Sequence, residues 1–303
     1  MTRTIVAGLD GSPESLAAAD WAAREALRRG LALRLVHAWI WEPARHTAHA
    51  PLVGPDPQRH WAERIPREAA TKLRQRHPGL RIDTVQVSRQ PAAALLSDAQ
   101  DGELLVLGSR GLGSVAGFLI GSVALSVVAH AERPVVLVRA GSTAAGEHFA
   151  DADGNPSPQA PYRDVVLGLD LAKPDEAVLR FAFEAAADRG ATLRVVHGWT
   201  PPASFGYPAA SLAPSLLEEL QALKSDALAA ALSPWRDKHP EVTVTAETAI
   251  GPASRHLVDA AAGASLVVVG RRIRTGPTGP FLGPVVHALL HHSPAPVAVV
   301  PHP

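Results

Sequence analysis

The sequence predicts an α/β protein made of two tandem domains, each a doubly wound, five-stranded parallel sheet. Three observations carry this. The chain of 303 residues repeats itself once. Within each half, short apolar runs alternate with helix-like segments. Those runs are continuously apolar rather than alternating, as strands are when helices cover both sheet faces.

The repeat is legible residue by residue. Leu33-Arg34-Leu35-Val36-His37-Ala38-Trp39 answers to Leu193-Arg194-Val195-Val196-His197-Gly198-Trp199, and Val6-Ala7-Gly8-Leu9-Asp10 to Val166-Leu167-Gly168-Leu169-Asp170. Later, Pro134 to Val138 answers to Pro296 to Val300. The offset is 160 early and 162 late, so a two-residue insertion separates the copies. A period this long means tandem globular domains, since solenoid repeats run to roughly 50 residues. The boundaries follow: a first domain over 1–140, a polar linker rich in Pro, Gly and Ala over 141–161, and a second domain over 162–303.

Composition narrows the function. Acidic and basic residues balance at 29 each. No basic face points to nucleic acid and no polybasic tract to a membrane. With no cysteine, thiol redox chemistry and zinc–thiolate sites are excluded. No apolar stretch reaches roughly 18 residues and no leader pattern is visible, so a cytoplasmic protein is expected.

The elements of the first half can be taken in order. Ile5 to Leu9 is a buried strand. Ser12 is placed to cap a helix, Pro13 suits its first position, and Gly30 ends it. Leu33 to Ala38 is the second strand; residues 41–60 look irregular, and a helix covers about 61–76. Arg81 to Val87, Leu104 to Leu107 and Val135 to Arg139 are the remaining strands, with a helix over Ala92 to Ala99. His37 and His197 end strands and suit packing or a backbone hydrogen bond.

The chemistry concentrates at Gly108 to Ser122, which reads GSRGLGSVAGFLIGS. It leaves the fourth strand and opens a helix. Glycines let backbone N–H groups approach an anion, and a helix start adds unpaired donors and the positive end of a dipole. The spacing, Gly108 to Gly111 to Gly121-Ser122, is neither a Walker A loop nor a GxGxxG turn. Ligands of open α/β sheets sit beyond the carboxyl ends of strands. Asp10, Ala38 and Gly108 stand at three such ends.

These residues resemble the universal stress protein family in its tandem form, over essentially the whole chain outside the linker. The pattern Gly-x2-Gly-x9-Gly-Ser after strand four is that of the family's ATP-binding branch. The resemblance implies an adenine nucleotide alpha hydrolase-like, Rossmann-like fold that binds ATP, with or without magnesium. It implies an acid near the adenosine, strand-two residues lining the base, and a loop holding ribose and phosphates. Carried over, these roles fall on Gly8, Leu9, Asp10, Ala38, Leu107, Gly108, Gly111, Gly121, Ser122 and Val123. In the second half they fall more weakly on Gly168, Asp170, Gly198, Gly270, Gly283 and Val285.

The halves differ. Ile273 replaces Gly111 and puts a branched side chain where phosphate would approach. Pro284 replaces Ser122 and removes an N–H and a hydroxyl. Leu171-Ala172 replaces Gly11-Ser12, and Arg271, Arg272 and Arg274 are available as electrostatic compensation. Gln90 stands before Pro91 where the second half has Gly251 before Pro252. The expectation is a strong site in the first half and a weakened or altered one in the second.

The function implied is a nucleotide-dependent sensor or regulator in a stress or dormancy response. No Walker lysine, general base or acidic metal cluster beyond Asp10 supports a dedicated enzyme, though slow ATP hydrolysis or phosphotransfer stays open. A nucleotide-independent interaction scaffold is a further alternative. The apolar fifth strands, Pro134 to Arg139 and Pro296 to Pro301, are expected to pair with each other within the chain. Whether the chain dimerises further, and with which proteins it works, stays open.

Overall fold

The structure, a computed structural model, describes residues 3–40, 57–109, 120–201, 214–273 and 282–303. It divides into two compact units, Met1–Ser142 and Thr143–Pro303.

The first unit runs β1 (Thr4–Leu9), α1 (Pro13–Arg29), β2 (Ala32–Trp39), α2 (Pro57–Arg76), β3 (Ile82–Ser88), α3 (Pro91–Ala99), β4 (Leu104–Ser109), α4 (Ser122–His130) and β5 (Val135–Arg139). Its strands lie in the order β3-β2-β1-β4-β5, with all pairings parallel. The chain builds outward from β1 through β2 and β3, then returns to the other side of β1 with β4. The switch point therefore falls between β1 and β4, and Asp10 and Gly108 stand at its carboxyl edge.

The second unit has β6 (Asp164–Gly168), α5 (Glu176–Ala187), β7 (Leu193–Trp199), α6 (Pro214–Lys238), β8 (Val244–Ile250), α7 (Ala253–Ala261), β9 (Ala264–Arg272), α8 (Pro284–His292) and β10 (Val297–His302). Its order, β8-β7-β6-β9-β10, is the same winding with the switch between β6 and β9. In both units the central strands are buried: Ile5, Val6, Ala7, Leu105 and Val106 in the first, Val165 to Leu167 and Leu266 to Val269 in the second. This agrees with their unbroken apolar character.

Sequence and structure agree closely at α1. Ser12 is its N-cap, accepting from Ser15 N–H, and Gly30 closes it in the left-handed conformation at φ 64°. They differ at α2, which begins at Pro57, and at β4, which continues to Ser109.

The stretch taken from composition as a linker has local structure of its own, and from Thr143 onward it belongs to the second unit. A short 3₁₀ turn at Ala145–Glu147 leads into a small antiparallel clasp, in which His148 and Pro161-Tyr162 face each other. Phe149 N–H donates to the Pro161 carbonyl and Arg163 N–H to that of Glu147. The His148 and Tyr162 rings pack 3.8 Å apart between centroids, tilted by 37°. Glu147 and His148 are buried. Composition hides this because the clasp uses single bridges and two aromatic rings, with no run of apolar residues to betray it.

Candidate functional site

At the tip of β1, backbone and side chains organise a compact turn. Asp10 Oδ1 accepts from the Ser12 N–H at 2.9 Å and from the Ser12 hydroxyl at 2.5 Å. Asp10 N–H donates to the Ser15 hydroxyl at 3.3 Å. The carboxylate is exposed at its tip and tethered at its base. Burial pulls its pKa upward, but the Ser12 and Ser15 hydrogen bonds outweigh this and hold it below the ordinary aspartate value. Asp10 is thus pre-set as an ionised acceptor.

The strand tips are pinned the same way in both units. His37 Nδ1 donates to the Leu9 carbonyl at 2.8 Å, and His197 Nδ1 to the Leu169 carbonyl at 2.9 Å. A carbonyl only accepts, so Nδ1 carries the hydrogen in each ring. These two bonds tie the end of the first strand to the second, one residue before each aspartate.

Several candidate glycines have packing reasons to be glycine. A Cβ on Gly8 would lie 2.6 Å from Leu107 Cδ2 and 3.0 Å from Leu95 Cδ2. A Cβ on Gly108 would lie 2.5 Å from the Glu14 carbonyl carbon and 2.7 Å from Ser15 N. The start of α1 therefore rests directly on the β4 backbone, and Gly108 permits that approach. Leu9 and Leu107 are buried. Gly121 is the N-cap of α4 at φ −62°, with no side chain capping the helix among the described residues. Ser122 is exposed and Val123 half-buried in the first turn. The opening N–H groups of α4 are thus available to an anion. Gly111 lies outside the described residues.

In the second unit all six candidates, Gly168, Asp170, Gly198, Gly270, Gly283 and Val285, line one cavity of about 380 Å³. It opens at the carboxyl ends of β6, β7 and β9, where the winding reverses. Arg271 and Arg272 also line it, as do Lys173, Asp175, His197 and His302. Burial lowers the pKa of the Arg271 guanidinium from its ordinary value. Gly283 caps α8 at φ −62° and Pro284 opens the helix. Ile273 is exposed, and Arg274 lies outside the described residues.

Two local differences shape this cavity. Asp170 Oδ1 accepts from the Ala172 N–H at 3.0 Å, the same turn as at Asp10 without the hydroxyl. The helix that follows starts later: α5 begins at Glu176, capped by Asp175, whose Oδ1 accepts from Ala177 N–H at 2.8 Å. Its counterpart α1 begins at Pro13, which aligns with Lys173. Pro174 keeps Lys173 out of the helix, since the residue before a proline is pushed out of the helical region, and Asp175 supplies the cap from which α5 starts. The missing turn leaves room beside Gly270, where a Cβ would meet His302 Nε2 at 2.8 Å and Val178 Cγ2 at 3.1 Å.

The second difference lies at α7. A Cβ on Gly198 would fall 2.4 Å from Ala253 Cα, so α7 starts against the β7 backbone. Gly251 permits the entry at φ 126°. In the first unit Ala38 carries a Cβ and Gln90 has φ −50°, so that approach is closed to α3. Sequence reasoning singled out the Gln90–Gly251 contrast but not its link to position 38. It also missed Lys173, Asp175 and His302. His302 could have been noticed as a titratable residue immediately after an apolar terminal strand.

Comparison with known proteins agrees with this architecture. The sequence model of the Universal stress protein family matches residues 1–139 and 161–301. Universal stress protein Rv2005c of Mycobacterium tuberculosis strain H37Rv is 33% identical over 302 residues, covering 97% of this chain and 96% of its own. Universal stress protein Rv1996 of the same strain is 31% identical over 314 residues, covering 97% and 94%. The crystal structure of a universal stress protein from Archaeoglobus fulgidus DSM 4304 shares the fold, with TM-score 0.66 and 14% identity over 99% of both chains. Two matches of one family, each spanning one turn of the internal repeat, place the chain in the Universal stress protein family.

Proposed function

We propose that this chain binds adenine nucleotide, ATP in the first instance, at the strand tips of its units, and that it acts as a nucleotide-dependent regulator in a stress response. The observation that carries this is the cavity of about 380 Å³, which gathers the six family-pattern positions of the second unit at the sheet's switch point. Its volume falls within the roughly 300–1,000 Å³ of small-molecule clefts. In the first unit the ionised, tethered Asp10 and the uncapped start of α4 supply an acceptor for ribose or adenine and donors for phosphate. Regulation then follows by linkage: a nucleotide that binds one conformation better shifts the population toward it. Magnesium, if it accompanies ATP, would come with the phosphates, since no group of three or more potential ligands stands among the described residues. The test is direct. Purified protein is denatured and the supernatant assayed for released adenine nucleotide, and nucleotide-stripped protein is titrated calorimetrically with ATP. Micromolar or tighter binding supports the proposal; an absence of both released nucleotide and heat on titration overturns it.

A further inference from the structure

We propose that the second unit's cavity binds the anionic end of its ligand, a phosphate or polyphosphate group, through the side-chain cations Lys173 and Arg272 over a floor made by His302. It deepens the nucleotide-binding reading above and rests on it for the identity of the ligand, though not for the charge of the group bound.

The argument starts from the contrast between Gly108 and Gly270. Beside Gly108 stands the first turn of α1, with Ser15 N 2.7 Å from a Cβ placed there. Beside Gly270 that turn is absent, because α5 starts only at Glu176. The space holds the His302 ring, whose Nε2 lies 2.8 Å from the corresponding Cβ position. A side chain has taken the place of helix-start backbone.

Strand register fixes what surrounds that ring. Val300 pairs with Gly270 and His302 with Arg272 in the parallel β9–β10 ladder. Residues two apart on a strand share a face, so Gly270, Arg272 and His302 share one side of the sheet, with Arg272 directly beside His302. Lys173 reaches the same place from the β6–α5 turn. Its Nζ donates to the Pro303 backbone oxygen at 3.4 Å, a bond long enough that a closer phosphate oxygen would displace it.

The carboxylates nearby are already engaged. Asp175 Oδ1 caps α5, and its Oδ2 lies 3.6 Å from His302 Nδ1, which itself donates to the Pro303 backbone oxygen at 3.1 Å. Asp170 Oδ1 accepts from the Ala172 N–H. Among the described lining residues the charged side chains are Lys173, Arg271 and Arg272 against Asp170 and Asp175, and of the cations Lys173 and Arg272 are exposed. In the first unit the positions matching Lys173 and His302 hold Pro13 and Ala140, while Arg110 matches Arg272, so Lys173 is the cation and His302 the ring that the second unit adds. The second unit has Pro284 in place of a serine hydroxyl and N–H at the start of α8, and adds the formal charge of Lys173.

The test uses the full chain with histidine side chains isotopically labelled, and inorganic triphosphate as the probe. The His302 ring resonance is assigned by its loss in His302→Gln. Triphosphate should move that resonance saturably, and Lys173→Ala and Arg272→Ala should each weaken the titration at least tenfold. Both positions are exposed, so the variants keep the fold. A His302 resonance that does not move, or equal titrations in wild type and both variants, overturns the proposal. A second arm compares adenosine with ATP on the same signal. Adenosine binding as tightly as ATP overturns the anion assignment and leaves nucleoside binding intact. Triphosphate binding with no response to adenosine or ATP overturns the nucleotide reading and upholds the anion site.

Discussion

Gly108 shows how a family motif residue can serve two ends. Its place in the glycine pattern points to phosphate, yet its immediate neighbours are the backbone atoms of Glu14 and Ser15. A methyl group there cannot be absorbed by a side-chain rotation, so α1 has to move. Gly108→Ala should therefore destabilise the protein by about 3 kcal/mol, the upper part of the usual overpacking range. Gly8→Ala meets only the ends of Leu107 and Leu95, and should cost less, about 1 kcal/mol. Urea denaturation of the two variants checks the order. Lost nucleotide binding in Gly108→Ala would then report a displaced helix as much as a lost contact. Asp10 allows a pH test. Its folded pKa is depressed, so its ionised form contributes stability above the unfolded value, and that contribution is lost as pH falls through the lower, folded value. Asp10→Asn should be less stable than wild type at pH 7 by about 0.5 kcal/mol, the scale of an exposed charged contact. The gap should close as pH falls below the ordinary aspartate value of 3.8. A gap that widens toward acid contradicts the assignment.

Among the elements, legibility followed locality. The limits of α1 could be read because Ser12, Pro13 and Gly30 act within one turn of where they stand. The strands could be read because burial on both faces leaves unbroken apolar runs. The late start of α5 was not read, although Pro174 and the Asp175 cap are local to it, because its effect appears only across space, beside Gly270. The pairing of position 38 with 90, and of 198 with 251, escaped for the same reason. Gly198 and Gly251 lie at the ends of neighbouring strands, joined by the Gly251 N–H donating to the Trp199 carbonyl at 2.7 Å and by the position of Ala253. This yields an asymmetric prediction. Gly198→Ala drives a Cβ into the α7 backbone and should cost about 3 kcal/mol. Ala38→Gly, the reciprocal change, should cost only about 0.5–1 kcal/mol, the conformational penalty of glycine within a strand. Thermal melts of the two variants decide it; similar losses in both would mean α3 and α7 approach their strands alike.

For the whole molecule, duplication followed by divergence predicts two nucleotide sites that differ in kind. The first unit keeps Gly108, Gly111, Gly121 and Ser122, and its α4 starts without a side-chain cap. It is expected to hold phosphate through fixed backbone donors. The second unit has Ile273 and Pro284 in the corresponding places, with Lys173 and Arg272 exposed at the cavity. Fixed N–H groups lose no side-chain entropy on binding, whereas ordering long cations costs up to about 2 kcal/mol each. The second site should therefore bind ATP at least tenfold more weakly, a difference of about 1.4 kcal/mol. It should also depend more steeply on salt, because exposed formal charges are screened over a Debye length that shrinks from about 10 Å at 0.1 M to about 3 Å at 1 M. Calorimetric titration of the nucleotide-stripped chain at low and high ionic strength measures both. Gly121→Trp should abolish the tighter phase and leave the salt-sensitive one, while Lys173→Ala should do the reverse. Two equal, equally salt-dependent phases would mean that the substitutions at 273 and 284 left the second site's way of holding phosphate unchanged.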